Sequence, residues 1–204
     1  MASLFPFARA ADVAKPLYQN DFQSVEGGKL PADFLVISGT FAVQEERGRK
    51  FLELPGSPLD TFGLLFGPSQ EGAATASASF HGTRQGRKFP TFGVSLGGAG
   101  GYRLQLSPAK KALEIYKADE PRSSVPFEWV SDSWTRLRIQ AQKGASGGWL
   151  ITGKAWPAEK PEPDKWMITL EEKETPASGR AGLWGSPYSG TPIRFDDLLL
   201  APAY

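Results

Sequence analysis

The chain has 204 residues, with 23 Lys and Arg against 22 Asp and Glu, so its net charge is only +1. A charge this small excludes bulk electrostatic attraction to nucleic acid or to an anionic membrane, and the absence of cysteine excludes disulfides and thiolate metal sites. The length suits one all-β domain, and the 23 Gly and 17 Pro suit a fold with many turns.

The N-terminal segment 1–16 precedes the first predicted strand. Ala8-Arg9-Ala10 has the pattern of a signal-peptidase site, but the segment has no basic start and its apolar stretch is short. No apolar run of the chain is long enough to span a membrane as a helix. Two interpretations of segment 1–16 stay open: a truncated start, or a flexible lead or tether. Residues 17–204 are predicted to form a single domain, because no change of composition marks a second one.

Short segments of alternating polar and apolar residues, separated by turn residues, begin at Leu17. About 13 such strands at spacings of ~8–12 residues, with no convincing amphipathic helix, are typical of a β-sandwich or barrel. In chain order the predicted strand segments are 17–24, 34–45 (broken at Ser38-Gly39), 51–54, 61–66, 73–84, 91–96, 102–106, 111–117, 134–142, 149–154, 166–171, 180–185 and 193–200. Segment 121–129 is expected to face a partner or to lie at a rim.

Segment 73–84 alternates most regularly. Its polar face carries Thr75, Ser77, Ser79, His81 and Thr83, and its apolar face carries Ala74, Ala76, Ala78 and Phe80. Small residues on the apolar face predict close packing of one sheet on another.

The longest predicted hairpin lies around residues 134–154. Leu137, Ile139 and Ala141 alternate with polar residues, the glycine-rich segment 144–148 turns the chain, and the alternation resumes at Trp149. This pattern predicts two paired antiparallel strands, to which the rest of the chain adds further strands.

Four motifs carry a resemblance to a known family. They are W-T-R-L-R-I at 134–139, G-K-A-W-P-A-E-K-P-E-P-D-K-W at 153–166, G-R-A-G-L-W at 179–184 and F-D-D-L at 195–198. With them the chain resembles the concanavalin A-like jelly-roll superfamily, and more closely its laminin-G-like and family 16 glycoside hydrolase-like domains. The resemblance implies an all-β sandwich of two stacked antiparallel sheets, one of them concave, and frequently a glycan ligand. It also favours an extracytoplasmic location, periplasmic or secreted.

Catalytic motifs are missing from the sequence. Family 16 glycosidases carry an E-x-D-x-x-E strand, which this chain lacks, and Asp196 and Asp197 are expected to point to opposite faces of one strand. His81 is the only histidine, and there is no G-x-S-x-G elbow for a nucleophile. The sequence therefore predicts that the chain is not an enzyme.

Candidate binding residues lie on the polar strand faces and on one loop. The strand candidates are Ser77, Ser79, His81, Ser95, Arg103, Gln105, Arg136 and Arg138. Of these, His81, Arg103, Gln105 and Arg138, together with Tyr188 as a rim aromatic, are the predicted ligand-binding residues. If their strands are neighbours, the strand candidates share one sheet surface; the alternative is an ordinary solvated outer face.

The resemblance also implies a structural calcium where the first and last strands meet, because several jelly-roll families carry one there. The matching positions are Asn20-Asp21 and Asp196-Asp197, and the predicted ligands are Asp21 and Asp196. The alternative is that Asp196 and Asp197 bond to backbone groups or arginines.

The function predicted from the sequence is a non-catalytic module that recognises a glycan or a protein partner. The second hypothesis is a structural accessory subunit of a larger assembly, which would associate with a membrane only through a partner or the N-terminal segment. A carbohydrate-active hydrolase or lyase with an unorthodox site is the third.

Overall fold

The computed structural model describes residues 15–56, 60–187 and 190–203, which form two packed antiparallel sheets. In chain order the strands are β1 (Tyr18–Asn20), β2 (Leu35–Ser38), β3 (Ala42–Glu46), β4 (Arg49–Leu54), β5 (Phe62–Gln70), β6 (Ala74–Gly82), β7 (Thr91–Leu96), β8 (Tyr102–Ser107), β9 (Ala112–Lys117), β10 (Glu120–Pro126), β11 (Ser133–Lys143), β12 (Trp149–Pro157), β13 (Ile168–Glu172), β14 (Gly179–Ser186) and β15 (Ile193–Pro202). Within these ranges the one helical element is the 3-10 turn Pro108–Lys110, and no helix is long and apolar enough to cross a membrane.

Each sheet has a simple strand order. Sheet A runs β13-β12-β11-β6-β15-β4-β3, with β1 paired to the second half of β15. Sheet B runs β10-β9-β8-β7-β14-β5-β2. The predicted hairpin is confirmed: β11 and β12 pair from Thr135 opposite Pro157 to Lys143 opposite Trp149, and β11 pairs on its other side with β6.

The core lies between the sheets, where the alternation of the strands places their apolar faces. Ala76, Ala78 and Phe80 of β6 are fully buried there, as the small-residue face predicted. Phe80 stacks on Phe92 of sheet B, with ring centroids 5.1 Å apart and an interplanar angle of 13°. Phe195 meets the edge of the Phe80 ring at 5.5 Å, so these three rings join the two sheets.

The first strand is shorter than predicted. The segment 17–24 was expected to be one strand, but β1 ends at Asn20. The Asn20 Oδ1 accepts the backbone N–H of Phe22 at 2.8 Å, and Phe22 has a φ of 60°. This turn buries the Phe22 ring completely in the core, which an extended strand would not do.

Candidate functional site

Two adjoining depressions lie on the outer face of sheet A. The first has a volume of about 500 Å³ and is lined by Gln19, Asn20, Asp21, Ser24, Ser77, Arg136, Arg138, Asp197, Leu198 and Leu199. The second, of about 480 Å³, is lined by Arg49, Ser133, Trp134, Arg136, Ala158, Glu159 and Asp197. Arg136 and Asp197 line both, so the depressions meet at this pair of residues. We call the two together the groove.

The register of β11 and β6 builds the floor of the groove. Even-numbered residues of β11 face outward, because odd-numbered ones such as Leu137 and Ile139 are fully buried. In the β11–β6 pairing, Trp134 lies opposite His81, Arg136 opposite Ser79, and Arg138 opposite Ser77. A polar row on one strand therefore faces a second polar row on its neighbour.

A β-bulge in β15 brings two adjacent carboxylates to this same face. The pairing of β15 with β6 shifts between Asp196 and Leu199, and Asp197 has a φ of 50°. The expectation that Asp196 and Asp197 point to opposite faces is therefore wrong: both bond to arginines of the outer face. A bulge adds a residue to one strand and re-aims its side chains, which a regular alternation cannot anticipate.

Asp197 stands at the centre of the groove. Its Oδ2 accepts a hydrogen bond from a terminal nitrogen of Arg136 at 2.6 Å and one from the Ser79 hydroxyl at 3.0 Å. Arg136 Nε also donates to Ser79 Oγ, at 3.3 Å. The side chains of Arg136 and Asp197 are 34% and 40% exposed, so both remain accessible to a ligand.

Asp196 is held beneath the surface by Arg49. Arg49 Nε donates to Asp196 Oδ2 at 2.8 Å, and the Asp196 side chain is only 3% exposed. Burial raises the pKa of Asp196 despite this hydrogen bond. The Arg49 guanidinium also lies over the Trp134 ring, 4.2 Å from its centroid, and so fixes the half-buried indole at the edge of the second depression.

The proline-rich loop after β12 closes one side of the groove. Glu162 accepts from Arg138 at 2.8 Å and from Lys154 at 2.7 Å. Lys154 Nζ also donates to the Pro163 carbonyl at 2.7 Å and lies 4.6 Å from the centroid of the Trp166 ring. The motif at 153–166 that carried the family resemblance thus anchors its own loop against the sheet.

The chain is similar in structure to several solved proteins. No protein-family profile matches the chain, and no curated protein matches its sequence. The carbohydrate recognition domain of Emp47p superposes with a TM-score of 0.65 at 11% identity, covering 97% of this chain and 100% of that one. The carbohydrate-binding module CBM66 from Bacillus subtilis gives 0.58 at 11% identity, covering 83% and 95%. Lectin II from Ulex europaeus gives 0.58 at 9%, covering 93% and 100%.

The fold is the concanavalin A-like jelly roll. The predicted fold class, an all-β two-sheet antiparallel sandwich, is therefore confirmed. Identities this low show the fold and not the ligand, so the site rests on its own residues.

The jelly roll separates the predicted binding residues onto two opposite surfaces. His81 and Arg138 lie on the outer face of sheet A, and Arg103 and Gln105 lie on β8 in sheet B. The hypothesis of one shared surface is wrong, because β6 and β11 are not neighbours of β8. Tyr188 lies outside the described residues.

The sheet B residues are engaged with one another. The Arg103 guanidinium lies 5.0 Å from the centroid of the Tyr116 ring and 5.2 Å from that of Trp184. Trp184 Nε1 donates to Ser95 Oγ at 2.8 Å, and Gln105 donates to Ser107 Oγ at 3.0 Å. This packed polar layer covers the outer face of the jelly roll opposite the groove.

His81 lies beside the groove at the end of β6. Its Nε2 is 3.3 Å from Asp132 Oδ1, and its ring centroid is 5.4 Å from that of Trp134. Burial lowers the pKa of His81, and the charge of Arg194 lowers it further against the opposing effect of Asp132. The lowered pKa favours the neutral imidazole, whose ring lies against that of Trp134.

The sequence interpretation did not name Trp134 or Arg49 as candidate site residues, and it considered Asp197 only in connection with calcium. The alternation of β11 could have identified Trp134, because Trp134 shares a face of the strand with Arg136 and Arg138. No comparable signal exists for Arg49 or Asp197, since the first arrives through long-range strand pairing and the second through the bulge.

The residues at the predicted calcium site do not fit a calcium ion. Asp196 Oδ2 is bonded to Arg49, and its Oδ1 accepts the backbone N–H of Asp197 at 2.8 Å. Asp21 Oδ1 accepts the backbone N–H of Gln23 at 3.2 Å. Across the described ranges no three His, Asp or Glu side chains cluster as metal ligands. Calcium takes about 6–8 oxygen ligands, and both oxygens of Asp196, one of the two predicted ligands, are already hydrogen-bonded.

Removal of divalent cations is accordingly expected to leave the folded protein unchanged. We expect the melting temperature in excess EGTA to stay within about 1 °C of that in calcium, because Arg49 already neutralises Asp196, one of the two predicted ligands. Differential scanning calorimetry of the same sample with and without chelator measures this. A fall of several degrees that calcium reverses would show that Asp196 and Asp21 do bind the cation.

Proposed function

We propose that this chain is a non-catalytic recognition module that binds a glycan in the groove of sheet A. The observation that carries the proposal is the junction of the two depressions, where the guanidinium of Arg136 and the carboxylate of Asp197 stand side by side and accessible. A donor and an acceptor fixed next to each other match neighbouring sugar hydroxyls, each of which both donates and accepts.

The second depression supplies the apolar part of such a site. Trp134 lines it, and the indole is in contact with the Arg49 guanidinium and lies 5.4 Å from the His81 ring, centroid to centroid. Glycan sites combine a few placed polar groups with aromatic surface against which the C–H groups of a sugar pack. Both kinds of group occur within one groove here.

The solved structures with the same fold add support of a general kind. Two of them are described as a carbohydrate recognition domain and a carbohydrate-binding module. A glycan ligand for this chain agrees with those descriptions, and with it we propose an extracytoplasmic location.

The absence of a catalytic role is part of the proposal. Hydrolysis of a glycoside requires two carboxyl groups that both reach the scissile bond. Asp196 is covered by Arg49 and is 3% exposed, so it does not reach a bound chain. Of these two adjacent residues only Asp197 is accessible, and its charge is committed to Arg136.

Docking to a protein partner, as an accessory subunit would require, has less support. The feature that favours it is the edge strand β2, where Leu35, Val36 and Ile37 are 53%, 38% and 44% exposed. A standard protein interface involves roughly 20–30 residues on each side. Three adjacent side chains are a small fraction of that, so the groove remains the better-supported site.

The proposal is tested by affinity electrophoresis in gels that contain neutral polysaccharides, namely β-glucan, xylan and mannan. We expect retardation of the wild-type chain in at least one gel, and a loss of about 10-fold or more in affinity for Trp134→Ala, corresponding to ~1.4 kcal/mol. Gln105→Ala, on the opposite face, is the matched control and should migrate as wild type. The groove would be overturned as the site if both variants lost affinity for the polysaccharide equally, or if Trp134→Ala bound it with wild-type affinity.

A further inference from the structure

We propose that the groove takes an extended, uncharged glycan chain that spans both depressions, rather than a single terminal sugar. The inference rests on the proposed function and specifies its ligand. Its basis is that two depressions of about 500 and 480 Å³ share Arg136 and Asp197 as a common wall. A ligand bound at that pair has open space on both sides.

The length of the groove exceeds one sugar ring. Trp134 in the second depression and Arg138 in the first lie four residues apart on the same face of β11. At the rise of a β-strand this separation is about 13 Å. The Arg136–Asp197 pair sits midway along this distance, where consecutive sugars of one chain would meet.

The groove carries no uncompensated arginine charge. Its lining contains three arginines and three carboxylates, and two further carboxylates, Asp196 and Glu162, bond to those arginines from outside the lining; the lining residues are Arg49, Arg136, Arg138, Asp21, Glu159 and Asp197. Each arginine is already paired, with Asp196, Asp197 and Glu162 respectively.

The ion pairs of the three arginines disfavour an acidic ligand. A uronate or a sulfated sugar that bonds to the free N–H groups of a paired arginine places its charge beside the carboxylate that is already bound there, and the two like charges repel. A neutral chain meets no such repulsion when it bonds to the remaining donor and acceptor positions of the intact pairs. The geometry therefore selects uncharged over anionic chains.

The test is isothermal titration with cello-, xylo- and manno-oligosaccharides of one to six units, and with oligogalacturonides as the anionic probe. For at least one neutral series we expect affinity to rise about 10-fold or more from the monosaccharide to the longer oligomers. The oligogalacturonide of equal length should bind at least about 10-fold more weakly. The variant Ala158→Phe fills the second depression and should flatten the dependence of affinity on oligosaccharide length. Glu159→Ala serves as a second variant of the same depression.

The outcomes separate this inference from the function on which it rests. Equal affinity for mono- and hexasaccharide, or preference for the oligogalacturonide, would show that the ligand is not an extended neutral chain. Neither result would contradict glycan binding itself. Unchanged length dependence in Ala158→Phe, with a wild-type melting temperature, also overturns it. Failure of wild-type protein to bind any of the probes counts against the proposed function itself.

Discussion

Replacing Arg136 with glutamine is expected to lower glycan affinity by about 30-fold or more, corresponding to ~2 kcal/mol. Arg136 lines both depressions and orients Asp197 through the 2.6 Å contact. The substitution removes a charged hydrogen-bond donor that would contact the ligand. It also frees the Asp197 carboxylate, which Arg136 positions. Isothermal titration of both proteins with the best-binding oligosaccharide measures the difference.

The same substitution should leave the fold intact. Arg136 and Asp197 are each more than a third exposed, and a pair of this kind contributes roughly 0–1 kcal/mol to stability. Gln142→Ala, on the same outward face of β11 but outside the groove, is the matched control for affinity. If Arg136→Gln binds like Gln142→Ala, the Arg136–Asp197 pair is not the centre of the site.

Replacing Phe80 with alanine is expected to lower the free energy of unfolding by about 3–5 kcal/mol. Phe80 is fully buried, and its ring contacts Phe92 of sheet B and Phe195 of sheet A. The substitution leaves a cavity at the contact between the sheets, and the surrounding strands relax only in part. The melting temperature should fall by roughly 10 °C, because each kcal/mol shifts it by about 2–4 °C in a chain of this length.

Val130→Ala is the control for this effect. Val130 is 63% exposed, and substitutions at such positions change stability by less than about 0.5 kcal/mol. Denaturant unfolding of the three proteins compares them directly. A Phe80→Ala variant as stable as Val130→Ala would mean that the two sheets do not pack as described.

Much of the fold could be predicted from local pattern. The alternation in β6 and in β11 fixed which residues face the core, because a strand places successive side chains on opposite faces. The pairing of β11 with β12 followed from the glycine-rich turn between them. The neighbours of each strand were not predictable in this way, and so Arg103 and Gln105 were grouped with residues of the other sheet.

The site depended on features that local pattern does not encode. The bulge that brings Asp196 and Asp197 to one face requires a left-handed residue inside a strand, which no glycine signals at Asp197. The position of the proline-rich loop depends on contacts with the sheet, where Arg138 and Lys154 both bond to Glu162. Long-range ion pairs of this kind are decided by the tertiary structure.

The most direct test of a glycan site on sheet A is to map backbone amide shifts of isotope-labelled protein during titration with the best-binding neutral oligosaccharide. We expect the perturbed amides to cluster in β1, β6, β11 and the bulge of β15, around the Arg136–Asp197 pair. Perturbations that centre instead on β7, β8 and β9 around Arg103, or the absence of perturbation at saturating ligand, would contradict the account.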